Sequence, residues 1–250
     1  LEDEKNGVET QKSNFELRTE ELKDKQDIQK NIQGEKSELL KETKSKENLY
    51  KSILDEKIKK QKELEKEMKS IEEEIRIIIE PDTLPKSGKG ILSWPLEENL
   101  ITQYFGNTPF ATKNPQVYGG MGHNGIDLAA SVGTPIKSSA EGKVVGTGDT
   151  DKACNGASYG KWILIEHPNN LSTLYSHLSL IKVKTGDTVA RGQLIGYTGN
   201  TGYTTGPHLH FAAYAAKAVK VSTMQSKVCG TIMTLPIAPF KGYLNPLSYL

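Results

Sequence analysis

Over residues 1–80 apolar side chains are sparse and recur at helical intervals: Phe15, Leu22, Ile28, Ile32, Leu39, Leu49, Ile53 and Ile58, then Leu64, Met68, Ile71, Ile75 and Ile78. The last five advance by 4, 3, 4 and 3 residues with Glu and Lys around them, which predicts the narrow apolar seam of a coiled coil. Such a stripe buries little alone, so the helix needs a partner in the same chain, a second copy or another protein. Gly34 fits either the turn of an antiparallel hairpin or a tolerated glycine inside one long helix. Pro81 and Pro85, with Ser87, Gly88 and Gly90, stop the helix and predict a linker over 81–90.

Beyond Ile91 the text changes to short apolar runs punctuated by Gly, Pro, Asn and Asp. Strands are expected at Ile101–Phe105, Ile126–Ala129, Pro135–Ser138, Lys143–Gly146, Trp162–Glu166, Ser172–Ser176, Leu194–Thr198 and Leu209–Tyr214. Their number and close spacing predict a mainly antiparallel β domain over 91–250, giving an α + β multidomain chain. Trp94 and Trp162 read as core residues of this half.

Composition sharpens the division. All 11 prolines lie beyond residue 80, and the 250-residue chain carries a formal net charge of +1, which argues against a nucleic-acid binder. No apolar run of about 18 residues is present, so no membrane-spanning segment is expected. The chain begins at Leu1, and any targeting segment is expected to lie outside this sequence. Two cysteines, Cys154 and Cys229, suffice for one disulfide; bridged and reduced states are both open.

Four of the five histidines stand in Gly-rich or turn-bounded settings: His123, His177, His208 and His210. His123 and Asp127 are four apart, and on a straight strand their backbones would be about 13 Å apart, too far for one metal ion. The glycines at 119, 120, 122 and 125 supply the bend that lets the pair converge. His208-Leu209-His210 opens an apolar strand after Gly206-Pro207, placing both imidazoles on one face and Leu209 in the core. Zinc suits such donors, and a catalytic zinc keeps one position for water. The surplus histidines are then free to take a proton or to hydrogen-bond an oxyanion, with the division among them left open by spacing. His167, before Pro168-Asn169-Asn170, is expected in a solvated turn. Tyr118 and Tyr203 are candidates for lining a substrate groove or are ordinary loop tyrosines.

His123-xxx-Asp127, Tyr175-Ser176-His177 and Gly206-Pro207-His208-Leu209-His210-Phe211, in this order and spacing, resemble the lysostaphin/LytM-type zinc endopeptidases of bacterial cell walls. The resemblance runs from about Trp94 to Leu250 and includes Gly125-Ile126-Asp127-Leu128, Gly133-Thr134-Pro135, Gly142-Lys143-Val144-Val145 and Tyr243-Leu244-Asn245-Pro246. It implies a twisted antiparallel sheet crossed by a groove. One zinc ion would be held by His123, Asp127 and His210, with His177 and His208 flanking the water as general base and transition-state stabiliser. It further implies hydrolysis of a peptide bond in peptidoglycan stems or cross-bridges, in an extracytoplasmic setting such as the periplasm or cell surface. An N-terminal coiled coil ahead of such a domain resembles the division-associated, EnvC-like subgroup. That likeness implies regulation or docking through residues 1–80, to a membrane-linked division partner or by self-association. Some members of the subgroup activate an amidase without hydrolysing anything; the five intact positions here favour an enzyme, with an activator or an autoinhibited enzyme as the alternative.

Overall fold

The computed structural model describes residues 18–35, 86–113, 120–226 and 228–250, together with Glu56, Lys59, Lys60, Lys62–Leu64, Lys66, Glu67 and Ser70. The chain divides into two compact units, residues 1–53 and 54–250. In the first, residues 18–35 are helical and Gly34 lies within the helix. Of its apolar stripe Ile28 is buried, while Leu22 and Ile32 are exposed. No described helix is long and apolar enough to cross a membrane.

In the second unit, Leu64, the first position of the expected seam, is helical and fully buried among Trp162, Met224, Met233 and Leu235. Its neighbour Glu67 accepts a hydrogen bond from Ser226 Oγ at 2.8 Å. The other four seam positions, Met68, Ile71, Ile75 and Ile78, lie outside the described residues.

The second unit is built on one antiparallel sheet. Its strands are β1 (Ile101–Gln103), β2 (Ile126–Ala129), β3 (Pro135–Lys137), β4 (Gly142–Asp149), β5 (Lys161–Glu166), β6 (Leu171–Ile181), β7 (Thr188–Val189), β8 (Leu194–Thr198), β9 (His208–Ala215) and β12 (Tyr243–Leu244). The order is β1-β2-β9-β6-β5-β4-β7, with β12 on β9 and β3 reached through β8 on β6. A separate hairpin pairs β10 (Lys220–Gln225) with β11 (Ile232–Ile237).

Alternation along these strands sorts the side chains into two layers. Leu209 and Phe211 of β9, Tyr175 of β6, Ile163 and Ile165 of β5 and Ile126 and Leu128 of β2 form one apolar cluster. The opposite face carries Ala212, Tyr214, Leu174, Trp162 and Leu164, covered by Met224, Met233 and Leu235 of the β10–β11 hairpin. Fully burying such side chains contributes roughly 1.5–3 kcal/mol each, so both faces of β9 and β6 are held firmly. Cys154 and Cys229 are bridged, fastening the turn after β4 to the turn of the β10–β11 hairpin.

One strand breaks its own alternation. Lys161 pairs with Leu178 but Ile163 pairs with Tyr175, so β6 carries one extra residue there, a β-bulge. His177 lies within it with φ of 63°, the left-handed region, a conformation that non-glycine residues adopt at a cost of roughly 1–3 kcal/mol.

His167 departs from its expected solvated position. It is 3% exposed, with Nδ1–H donating to Glu141 O at 2.7 Å and Nε2 2.8 Å from Thr173 Oγ1. Thr173 Oγ1 is 3.0 Å from the Tyr175 hydroxyl, which accepts from Ser139 N–H. This chain of partners offsets the loss of water and makes His167 a satisfied core histidine. Burial pushes its pKa below the ordinary value.

Candidate metal centre

Strand pairing brings the predicted residues together. Asp127 of β2 sits opposite His210 of β9, and Ala129 opposite His208. His123 is not on a strand with Asp127; it bridges Gly106, exchanging two backbone hydrogen bonds of 2.8 Å with it. The intervening bend depends on glycine. A Cβ on Gly122, whose φ is +85°, would fall 2.6 Å from Gly106 C, and one on Gly125 would fall 2.6 Å from Phe211 O and 2.8 Å from His210 Cε1. Neither site admits a side chain without displacing backbone.

His123 Nε2 is 3.0 Å from His210 Nδ1, His210 Nδ1 is 2.9 Å from Asp127 Oδ1, and His123 Nε2 is 3.3 Å from Asp127 Oδ1. Zinc ligands at about 2.0–2.1 Å in a tetrahedron stand about 3.3–3.4 Å apart, so the triangle is close to the size of one face of such a site. The donor set fits as well. The His123 Nδ1–H donates to Tyr104 O at 3.0 Å, which fixes the tautomer and leaves Nε2 as a lone pair. Two imidazole nitrogens and a carboxylate oxygen thus converge in a buried place with almost no protons to share, which suits a divalent cation. Among the described residues these three form a group able to hold a metal ion.

Burial works against the charged form of Asp127, but the adjoining His123 and His210 rings outweigh it and hold the carboxyl well below the usual range. Burial pushes the His210 pKa below its ordinary value. His210 Nε2 is buried without a hydrogen-bond partner, as is the hydroxyl of Ser176, its opposite neighbour on β6.

His177 and His208 stand beside this triangle. Their rings are 4.7 Å apart, His177 is 6.0 Å from the His210 ring, and His208 Nε2 is 3.6 Å from Asp127 Oδ1. The His177 Nδ1–H donates to Thr201 O at 2.8 Å and the His208 Nδ1–H to Gly206 O at 2.8 Å. A carbonyl only accepts, so each neutral ring keeps its free lone pair on Nε2. Burial, reinforced by His208 and His210 nearby, pushes the His177 pKa down to about 3.

Tyr159 has no signal in the sequence. Its ring lies 6.2 Å from that of His210, and its carbonyl accepts the His177 N–H at 2.9 Å. Tyr203 is half-buried, with its N–H on Ser158 O at 2.9 Å. Tyr118, the other groove candidate, lies outside the described residues.

Residues 121–222 match the description Peptidase family M23. It is 48% identical over 89 residues to the peptidoglycan DD-endopeptidase ShyA of Vibrio cholerae, covering 36% of this chain and 19% of that protein. To lysostaphin of Staphylococcus simulans it is 44% identical over 95 residues, covering 38% of this chain and 18% of the relative. The chain thus spans about a fifth of the length of these relatives. Among solved structures, the catalytic domain of lysostaphin shares 28% identity with a TM-score of 0.43, over 60% of this chain and 90% of that one.

Proposed function

We propose that this chain is a zinc-dependent endopeptidase that hydrolyses peptide bonds in bacterial peptidoglycan stems or cross-bridges, outside the cytoplasm. The reading rests on the meeting of His123 Nε2, Asp127 Oδ1 and His210 Nδ1 within 3.3 Å of one another beside two further histidines. It is supported by the relatives, which include a peptidoglycan DD-endopeptidase and a glycyl-glycine endopeptidase. Residues 1–80 would be a docking or regulatory arm, 81–90 a linker and 91–250 the peptidase domain.

His123, Asp127 and His210 would hold one zinc ion. Zinc in such a place supplies Lewis acidity to a scissile carbonyl and makes a neighbouring water more acidic. His177 and His208 then carry the proton traffic. With Nδ1–H committed to a backbone carbonyl, each ring accepts a proton at Nε2, holds it there, and returns it to an oxyanion or to the departing amine. Asp127, 3.6 Å from His208 Nε2, stabilises that ring when it is charged.

Incubating the zinc-loaded protein with purified peptidoglycan, with His210→Ala in parallel, tests the reading. Mass spectrometry is expected to show peptide-bond cleavage products that vanish in the variant. An intact polymer after exposure to folded, zinc-loaded protein would overturn it. Removing residues 1–53, which leaves Leu64 in place, tests that part of the arm; unchanged activity and localisation would refute a regulatory or docking role for residues 1–53.

A further inference from the structure

His177 depends on a peptide group that is itself held from behind. Thr201 C=O, which accepts the His177 Nδ1–H at 2.8 Å, belongs to the same peptide unit as the Gly202 N–H, and that N–H donates to Asp151 Oδ2 at 2.9 Å. The other carboxylate oxygen, Oδ1, accepts the Gly156 N–H at 2.7 Å. We propose that Asp151 is a positioning residue for His177, acting through the single Thr201–Gly202 peptide group. The inference rests on the proton-handling role assigned to His177 above.

The geometry makes the link stiff. Thr201 Oγ1 accepts the Lys161 N–H at 3.0 Å and donates to Leu178 O at 2.8 Å, so the residue is anchored on both its side-chain and main-chain groups. Gly160 and Gly202 are pressed together so closely that a Cβ on either would overlap the other's backbone. Tyr203 N–H on Ser158 O binds the same two loops, and His177 N–H on Tyr159 O ties β6 to one of them, each at 2.9 Å. Asp151 lies in a single helical turn, Thr150–Lys152, just before the disulfide-bonded Cys154.

The electrostatics point the same way. A carboxylate on the N–H end of an amide polarises it and makes its oxygen a stronger acceptor. That oxygen holds the imidazole proton on Nδ1 and leaves the Nε2 lone pair for chemistry. A buried aspartate performs this service for histidine by direct contact in serine-protease triads; here one peptide group is interposed. The sequence offers no hint of it, because Asp151 is 26 residues from His177 by number and 51 from Gly202.

The test uses the full, zinc-loaded chain and Asp151→Asn, which keeps the size and one acceptor oxygen but removes the charge. Long-range 15N–1H NMR of the histidine rings is expected to show His177 as the Nδ1–H tautomer in the wild type and as a mixture with the Nε2–H form in the variant. Peptidoglycan cleavage is expected to lose about 10-fold in kcat with KM held within about twofold, at unchanged zinc content. An Nε2–H tautomer in the wild type overturns the proposal whether or not any variant folds. So does a folded variant with unchanged tautomer. A tautomer shift in a chain whose wild type cleaves nothing upholds the positioning role and sinks the hydrolase reading, so the two failures are separable.

Discussion

Breaking the Cys154–Cys229 bridge, by reduction or by changing both cysteines to serine, is expected to destabilise the β domain strongly. The two residues are 75 apart in sequence. Closing a loop of that length removes about 15 cal/mol/K of chain entropy from the unfolded state, or about 4.5 kcal/mol at 25 °C. For a domain of this size each kcal/mol moves the melting point by roughly 2–4 °C, so the midpoint should fall by about 9–18 °C. Calorimetric or circular-dichroism melts of the untreated, reduced and doubly substituted proteins measure it. The reduced wild type and the Cys154→Ser/Cys229→Ser variant should agree, since both lose the same constraint. Two free thiols in the untreated protein, or a variant melting within about 2 °C of wild type, would refute the reasoning.

His210→Ala removes one vertex of the ligand triangle, and zinc retained after dialysis, measured by elemental analysis, should drop from near one equivalent to near none. Gly122→Ala is expected to cost at least about 2 kcal/mol in chemical denaturation, because the residue needs a positive φ and a Cβ there meets Gly106; a neutral result would show that the bend can relax. His167 has its folded pKa pushed below the ordinary 6.5 by burial, so it binds its proton more readily when unfolded. Its contribution to stability is therefore present above about pH 6.5 and is lost as pH falls toward the folded value. A His167→Gln variant should show a flatter decline in urea stability over that range, and an unchanged slope would point to other groups.

The candidate ligands are legible because chemistry and punctuation coincide: His-x-His opens an apolar strand, and glycines crowd the His123–Asp127 interval. Alternation correctly sends Leu209 into the core and both imidazoles to the other face, beside Asp127. It also placed β2 and β8 at their observed bounds. The rest depends on tertiary facts. The bulge at His177 left no trace in composition, and a regular strand would have turned that side chain to the same face as Tyr175. β11 holds Pro236 opposite Val221, a residue that argues against a strand except at an edge. β7 and β12, of two residues each, carry no period at all. His167 looked solvated because a Pro-Asn-Asn turn follows it; only folding revealed that Glu141 and Thr173 receive its ring.

The single extra residue in β6 works like a frame shift. Before it, the odd positions Leu171, Thr173 and Tyr175 serve one layer and Ser172, Leu174 and Ser176 the other; after it, His177 is freed from its own parity and Leu178 is read back into the first cluster. Deleting Ser176 would remove that extra residue: Leu178 would keep its phase, while the histidine would take Ser176's place opposite His210 and lose the left-handed backbone that aims its Nδ1 at Thr201 O. The chemistry proposed for this domain is thus stored in strand phase as well as in residue identity.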